Sequence, residues 1–254
     1  SYRIIVTVKN KQGQAVKDIL VNNENKTDQN GQATLYLPNG THTLTVTSQK
    51  GTELGNKEIT VKDSAKKVEV EVDDNVIDGL RVKQVSCARG QSGVITEDGS
   101  LWMWGNNEFG QLGDGTTETK KNPVKIMEHV KSIDLDTYHS GAITEDGNLW
   151  MWGLNSRGQL GDGTTKDKLR PVKVMENVTT IDLGNMHSGA ITEDGNLWMW
   201  GENEYGQLGD GTTETTYNPV KIMSNVKSVS LGYASTGVIA ENGDLYTWGE
   251  NEYG

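Results

Sequence analysis

Two His-Ser pairs, His139-Ser140 and His187-Ser188, stand 48 residues apart and have the side chains best suited to chemistry. A histidine beside a serine suggests an activated nucleophile, because imidazole can take the hydroxyl proton. Adjacent residues of a strand point to opposite faces, however, so the two members of one pair cannot meet. The same slot reads Gln91-Ser92 and Ser235-Thr236 in two further copies. A slot repeated in this way serves the repeat, and no catalytic residue is expected. Histidines on neighbouring units could also converge on a metal ion. Only two of four copies carry one, so no metal site is expected. Asp114, Asp162 and Asp210 each lie in Gly-Asp-Gly-Thr. A Ca²⁺ loop needs an alternating ladder of Asp and Asn, which is missing. These segments read as turns in which Asp and the following Thr bind backbone donors. Asn107, Asn155, Asn203 and Asn251 are expected to bond locally as well.

The elements that position these residues recur with a fixed period. LWMWGNNEFGQLGDGTT at 101–117 returns at 149–165 and 197–213, and begins again as LYTWGENEYG at 245–254. Such a period, with strand patterns and glycine turns, marks a propeller or solenoid. The units are 82–129, 130–177, 178–225 and a partial 226–254. Each complete unit reads as four strands, for example 130–135, 140–144, 148–153 and 171–175. Asp98-Gly99, Asp146-Gly147, Asp194-Gly195 and Asn242-Gly243 predict two-residue type I′ hairpins between the second and third strands. Pro123, Pro171 and Pro219 place the fourth strand at a sheet edge, since proline cannot donate to a ladder on both sides. In the third strand Trp150 and Trp152 face one way, Leu149 and Met151 the other. Both faces are apolar, so each sheet must lie between two others. Six of seven methionines fall in two repeated slots and read as filler between sheets rather than ligands. Cys87, the sole cysteine, occupies the slot of Leu135, Leu183 and Leu231 and is expected to be buried. It leaves no possibility of an intrachain disulfide.

Residues 1–75 read as a small β domain. Alternating runs at 2–10, 33–37, 41–48, 57–61 and 66–72, with a candidate at 15–24, are separated by turns such as Asp28–Gly31 and Pro38-Asn39-Gly40. About six short strands at that spacing suggest a β-sandwich. His42 is expected at the surface. The charged stretch 73–81 ends this domain, with 76–81 as linker.

Charge limits the partners. The formal net charge is -11; residues 1–81 balance, and the whole excess falls on 82–254. An acidic repeat region repels phosphate backbones, so no nucleic-acid partner is expected. No run approaches the length of a membrane-spanning helix. The chain starts within a strand pattern and stops within a repeat, and is read as a piece of a longer protein whose targeting signals lie elsewhere.

The pattern SGAITEDGNLWMWG, then GQLGDGTT and PVKV, resembles the regulator-of-chromosome-condensation repeat family. That resemblance implies a seven-bladed β-propeller, about 336 residues at this period. The chain is therefore expected to be all-β: a small sandwich followed by about three and a half blades in an open arc. Residues 13–46 resemble transthyretin-like, carboxypeptidase-regulatory or collagen-adhesin B-type modules. Some of these form a Lys–Asn isopeptide bond, for which Lys9 and Asn75 are the matching residues here. The assisting acid is missing from 41–48, so no such bond is expected. The family's exchange factors and chromatin binders are not implied, because no basic arm is present. The near-identical repeats and the small sandwich are similar to bacterial secreted or cell-surface modular proteins.

The expected function is a non-catalytic interaction module, without cofactor, that binds a protein partner. Inhibition of a secreted enzyme is one version of it. A carbohydrate-binding surface is the alternative, and it requires Trp102, Trp150 and Trp198 exposed in a row. A propeller lyase or hydrolase would need a cluster peculiar to one unit, and the repeats show none. Slots that vary between copies are where a partner can read the surface. They are Glu108-Phe109, Ser156-Arg157 and Glu204-Tyr205, and beside them Tyr138, Met186 and Tyr233.

Overall fold

Strand-forming patterns fill the chain, and strands are what form among the described residues. The structure, a computed structural model, describes residues 1–10, 15–16, 18–22, 24–47, 53–62, 66–72 and 81–252. The chain divides into two units, Ser1–Leu80 and Arg81–Gly254.

In the first unit, alternation puts one apolar row on each strand. β1 (Tyr2–Asn10) pairs antiparallel with β4 (Gln32–Leu37) and parallel with β7 (Lys66–Val72). A second sheet has the order β3 (Asn25–Lys26), β2 (Leu20–Val21), β5 (Gly40–Thr47), β6 (Glu53–Val61). Ile4, Val6 and Leu35 of one sheet share an apolar cluster with Leu44, Val46 and Val61 of the other. The strand expected over 15–24 is confined to Leu20–Val21 among the described residues. Thr27 displaces it: its hydroxyl donates to Val16 O and accepts from Ile19 N, drawing the chain into a turn. His42 bonds the Pro38 carbonyl at the surface. Lys9 is ion-paired with Glu69 at 2.7 Å. Asn75 and residues 76–80 of the expected linker lie outside the described residues.

In the second unit the period becomes a series of antiparallel sheets. β8 (Val82–Ala88), β9 (Gln91–Thr96), β10 (Leu101–Gly105) and β11 (Lys120–Met127) form the first. β12 (Val130–Leu135), β13 (His139–Thr144), β14 (Leu149–Gly153) and β15 (Lys168–Met175) form the second. β16 (Val178–Leu183), β17 (His187–Thr192), β18 (Leu197–Gly201) and β19 (Thr216–Met223) form the third. β20 (Val226–Leu231), β21 (Ser235–Ala240) and β22 (Leu245–Gly249) form a three-stranded fourth.

The prolines lie on the edge strands β11, β15 and β19, as one-sided pairing requires. Each edge strand starts three residues or so before its proline. Gly153 pairs with Lys168 and Met151 with Val172, so Pro171 falls in an irregular stretch and the ladder resumes beyond it. The hairpins differ from the expected two-residue type. Gly99 N donates to Thr96 O, and Thr96 N to Ser100 O. Gly99, Gly147, Gly195 and Gly243 have positive φ, and the preceding Asp or Asn does not. These are three-residue loops ending in a left-handed glycine. Asp98 instead spends its carboxylate on Ser100 N at 3.0 Å and on the Thr96 hydroxyl, which no type I′ geometry would provide.

Alternation along the third strand builds the core between sheets. Leu149 and Met151 cluster with Ile181, Leu183 and Trp200 of the following sheet, whereas Trp152 clusters with Leu101 and Met103 of the preceding one. Trp152 and Trp200 are fully buried. Cys87 corrects an expectation: it is exposed, with Sγ 3.7 Å from Ser92 Oγ. In the units 130–177 and 178–225 the sheet of the preceding repeat buries this slot, where Leu135 is 7% and Leu183 8% exposed. Val85, 63% exposed, shows the same effect against Ile133 at 4%.

Candidate interaction surface

Strands of each sheet alternate in direction, so two connections emerge at one end. The short one is 136–138 in the second unit, and the long one is 154–167. All nine variable residues singled out above lie in these connections, on one rim.

The long connection is held by its own side chains. Asn107 Oδ1 accepts from Leu112 N, and its Nδ2 donates to Asp114 Oδ1 and Thr116 O. Asp114 also accepts from Thr116 N and Thr116 Oγ1, with Lys120 Nζ at 3.3 Å. Asp162 repeats this with Thr164 and Lys168, the latter at 2.8 Å. Burial pushes the Asp162 carboxyl up, but the bonds from Lys168 and Thr164 outweigh it and hold it below the usual range. These carboxylates are committed to the loop.

The rim differs at each junction between repeats. At the first, Phe109 packs edge-on against Tyr138, with centroids 5.6 Å apart. Gln111 Oε1 accepts from Phe109 N and its Nε2 donates to Thr137 O. Glu108 is exposed there. At the second, Arg157 reaches forward to the next repeat: Nε is 3.2 Å from Glu202 and Nη1 3.1 Å from Glu204. Gln159 Nε2 meets Met186 Sδ at 3.2 Å, and Ser156 is exposed. At the third, Tyr205 and Tyr233 are 52% and 73% exposed. Tyr233 does not share the slot of Tyr138 and Met186. That slot, by the 48-residue period, holds Ala234. Glu202 was missed in the sequence, although Glu250 in the same slot was a usable signal.

Behind the rim, the His-Ser slots join repeat to repeat. Ser140 Oγ and Trp152 Nε1 both donate to Gln111 O of the preceding unit, at 2.8 and 2.9 Å. Ser188 and Trp200 do so to Gln159 O, and Thr236 and Trp248 to Gln207 O. His139 Nε2 lies 2.9 Å from Ser188 Oγ. Since the Ser188 proton goes to Gln159 O, the serine accepts and His139 Nε2 is the donor. A His-Ser contact therefore exists between repeats, fully buried, with the hydroxyl turned away from the imidazole. It is a structural bond. Burial pushes the His187 imidazole down to about 4, with His139 adding to the shift. Nearer the first strands, Asp134 Oδ2 accepts from Leu183 N at 2.7 Å. Burial, with the like charge of Asp182, pushes the Asp134 carboxyl up to about 6.

Trp102, Trp150 and Trp198 are half-buried, so no exposed row of tryptophan faces exists for a sugar. Trp198 lines a cavity of about 420 Å³ at the opposite, hairpin end, beside Glu176, Glu193 and Asp194. Among the described residues no cluster of His, Cys, Asp and Glu is arranged to hold a metal ion.

Successive four-stranded antiparallel sheets, locked face to face by a repeated Trp–carbonyl bond, define a protein of the repeat β-propeller class. The RCC1-like domain family matches residues 17–254, and the chain belongs to that family. Over 59 residues it is 37% identical to the human E3 ubiquitin-protein ligase HERC2, a match covering 22% of this chain and 1% of that protein. Human WBSCR16 superposes with a TM-score of 0.63 at 21% identity, over 86% of this chain and 64% of that one. Yeast RCC1 (Prp20), solved bound to Kap60, superposes with a TM-score of 0.60 at 22% identity, over 83% of this chain and 52% of that one. The chain thus spans only a small part of the curated relative and about half to two thirds of the solved structures.

Proposed function

We propose that residues 82–254 form a non-catalytic interaction module whose rim binds a protein partner. The observation that carries this is the contrast within each long connection. Asn107, Asp114, Thr116 and Gln111 form a conserved-geometry frame repeated in every complete unit, whereas the residues the frame holds outward change from Phe109 to Arg157 to Tyr205. A rigid frame that presents different side chains is suited to recognition. The solved relative bound to Kap60 supports a protein partner in kind. Residues 1–75, two sheets around one apolar cluster, serve in this reading as a β-sandwich spacer, and 76–81 as linker. The repeats 82–129, 130–177, 178–225 and 226–254 belong in it to a larger propeller of a bacterial secreted or cell-surface protein. Inhibition of a secreted enzyme is a specific form of the same binding.

The test is affinity capture with the full chain. Replacing 108–109, 156–157 and 204–205 by Gly-Ser should abolish capture of the partner. Glu145→Gln with Glu193→Gln, at the hairpin end, should leave it intact. Retained capture in the first variant refutes the placement. Loss only in the second moves the site to the cavity beside Trp198, where a carbohydrate is the alternative ligand.

A further inference from the structure

We infer that the cavity beside Trp198 is a binding site for an organic monocation, an alkylammonium group, at the end opposite the rim and independent of the rim's partner. The cavity, about 420 Å³, lies between the complete repeats 130–177 and 178–225. The end of β15 and the residues after it bring Met175, Glu176 and Asn177 to it; the hairpin after β17 and the strand β18 bring Glu193, Asp194 and Trp198. Two sister sites show what is missing here. The hairpin glutamate is Glu97, Glu145 and Glu193 in successive repeats, and its N–H donates to Arg81 O, His129 O and Asn177 O at 2.7, 2.8 and 2.8 Å. Arg81 Nε lies 3.4 Å from the Glu97 carboxylate, and His129 Nδ1 3.9 Å from that of Glu145. Asn177 has the backbone of His129, with φ 57° in both, but it cannot carry a charge. The carboxylate keeps its place: Glu145 Oε1 is 3.6 Å from a Cβ built on Gly99, and Glu193 Oε1 3.9 Å from one on Gly147. The shorter amide leaves open the space that an imidazole would take.

The charges on the lining set the charge of the ligand. Glu176 is engaged by Lys173 at 2.6 Å. Asp194 accepts from Thr192 Oγ1 and Asn196 Nδ2; the Thr192 bond foremost, and the Lys221 charge besides, hold its carboxyl below the usual range. Glu193 is exposed and has no side-chain partner among the described residues, so one negative charge is left over. A metal ion does not match it, because no group of three His, Cys, Asp or Glu among the described residues could hold one. An exposed carboxylate alone also holds a small ion weakly. The cavity adds what selects an organic cation: the half-buried indole of Trp198 attracts an ammonium through its ring, and the Met175 thioether offers a polarisable surface to the carbons beside it. The ammonium belongs either to a free small molecule or to a lysine side chain.

The probes are tetramethylammonium chloride and N-acetyl-lysine methylamide, each titrated into the full chain and followed by NMR of the backbone and of the Trp198 indole N–H. Saturable shifts are expected at residues 177, 193 and 198 with at least one of them. Tighter binding of tetramethylammonium assigns the site to a free small molecule, and tighter binding of the lysine derivative assigns it to a protein side chain. Sodium chloride at equal ionic strength and the neutral N-acetyl-norleucine methylamide should give no saturable response. Glu193→Gln should weaken binding about fivefold, and Trp198→Leu by a similar factor. Glu145→Gln, whose carboxylate already faces His129, should leave it unchanged. Asn177→His places an imidazole on a backbone that His129 already adopts. It should compete with the ligand, more at about pH 5, where imidazole is charged, than at about pH 8. Glu193 and Asn177 are both exposed, so these two variants test the site without disturbing the core. Absence of saturable shifts with both probes, an equal response to the norleucine derivative, or binding indifferent to Glu193→Gln and Asn177→His overturns the inference. Saturable shifts with methyl glucoside in place of the ammonium probes would also overturn it, in favour of a carbohydrate.

Discussion

Asp134→Asn should stabilise the repeat unit at neutral pH and lose that effect in acid. Asp134 Oδ2 accepts from Leu183 N across two first strands, and Asp182 makes the equivalent bond to Leu231 N. Burial is the largest cause that drives the Asp134 carboxyl from 3.8 up to about 6; the Asp182 charge adds to it and the Leu183 and Leu135 amides oppose it. An acid with a raised folded-state pKa binds its proton more tightly when folded. Its stabilising contribution is complete below 3.8 and is lost as pH rises through about 6. At about 1.4 kcal/mol per unit, ionised Asp134 costs roughly 3 kcal/mol at pH 8, an upper figure because neighbouring groups relax. Asparagine keeps an oxygen for Leu183 N and carries no charge. The variant should gain about 1–3 kcal/mol at pH 8, or several degrees in Tm, and about 0.5 kcal/mol or less at pH 4. His187, pushed down to about 4 from 6.5, has the opposite sign: its unfolded form takes a proton first, so stability falls as pH drops from 6.5 toward 4. The two slopes oppose each other between pH 4 and 6, and removing Asp134 should expose the acid-side decline. Denaturant unfolding followed by tryptophan fluorescence reads this unit selectively, because all seven tryptophans lie in the repeats. A variant that destabilises at pH 8, or whose effect is equal at pH 4 and 8, would refute the reasoning.

Ser188→Ala leaves the His139 Nε2 proton without its acceptor and removes one of two donors to Gln159 O; a loss of about 1–3 kcal/mol is expected by equilibrium unfolding. Gly113→Ala should be more damaging. Its φ is +79°, and the new Cβ would meet Trp152 Nε1 at 2.9 Å, so the Trp152–Gln111 bond is displaced and the melting transition should fall by several degrees. Cys87 should react with a thiol reagent in the native protein within the time of a free cysteine, and complete protection would contradict its exposure.

Much of the framework was legible because it is local. A 48-residue period, alternation along β14 and a proline at each edge strand depend on chain geometry alone. They were enough to place Leu149 and Met151 on one face and Trp152 on the other. The turn chemistry was less secure. Asp-Gly suits two hairpin geometries, and the choice went to the one that lets Asp98 accept from Thr96 and Ser100. Cys87 was misjudged because burial of its slot is conferred by a neighbouring repeat, not by its own sequence.

The rim residues were found by their variation, without any indication of what they touch. That Phe109 rests on Tyr138 and that Arg157 is clamped by Glu202 and Glu204 depend on contacts across junctions. The His-Ser motif shows the division most plainly. Within one strand its members face apart, so a His and the Ser beside it do not meet. Stacking of repeats then brought His139 to Ser188, a partner 49 residues away. Periodicity determines which slots exist and which face each side chain takes, because both follow from bonds along the chain. Only the packing of sheet on sheet decides which slot meets which, since that depends on the shape of two surfaces at once.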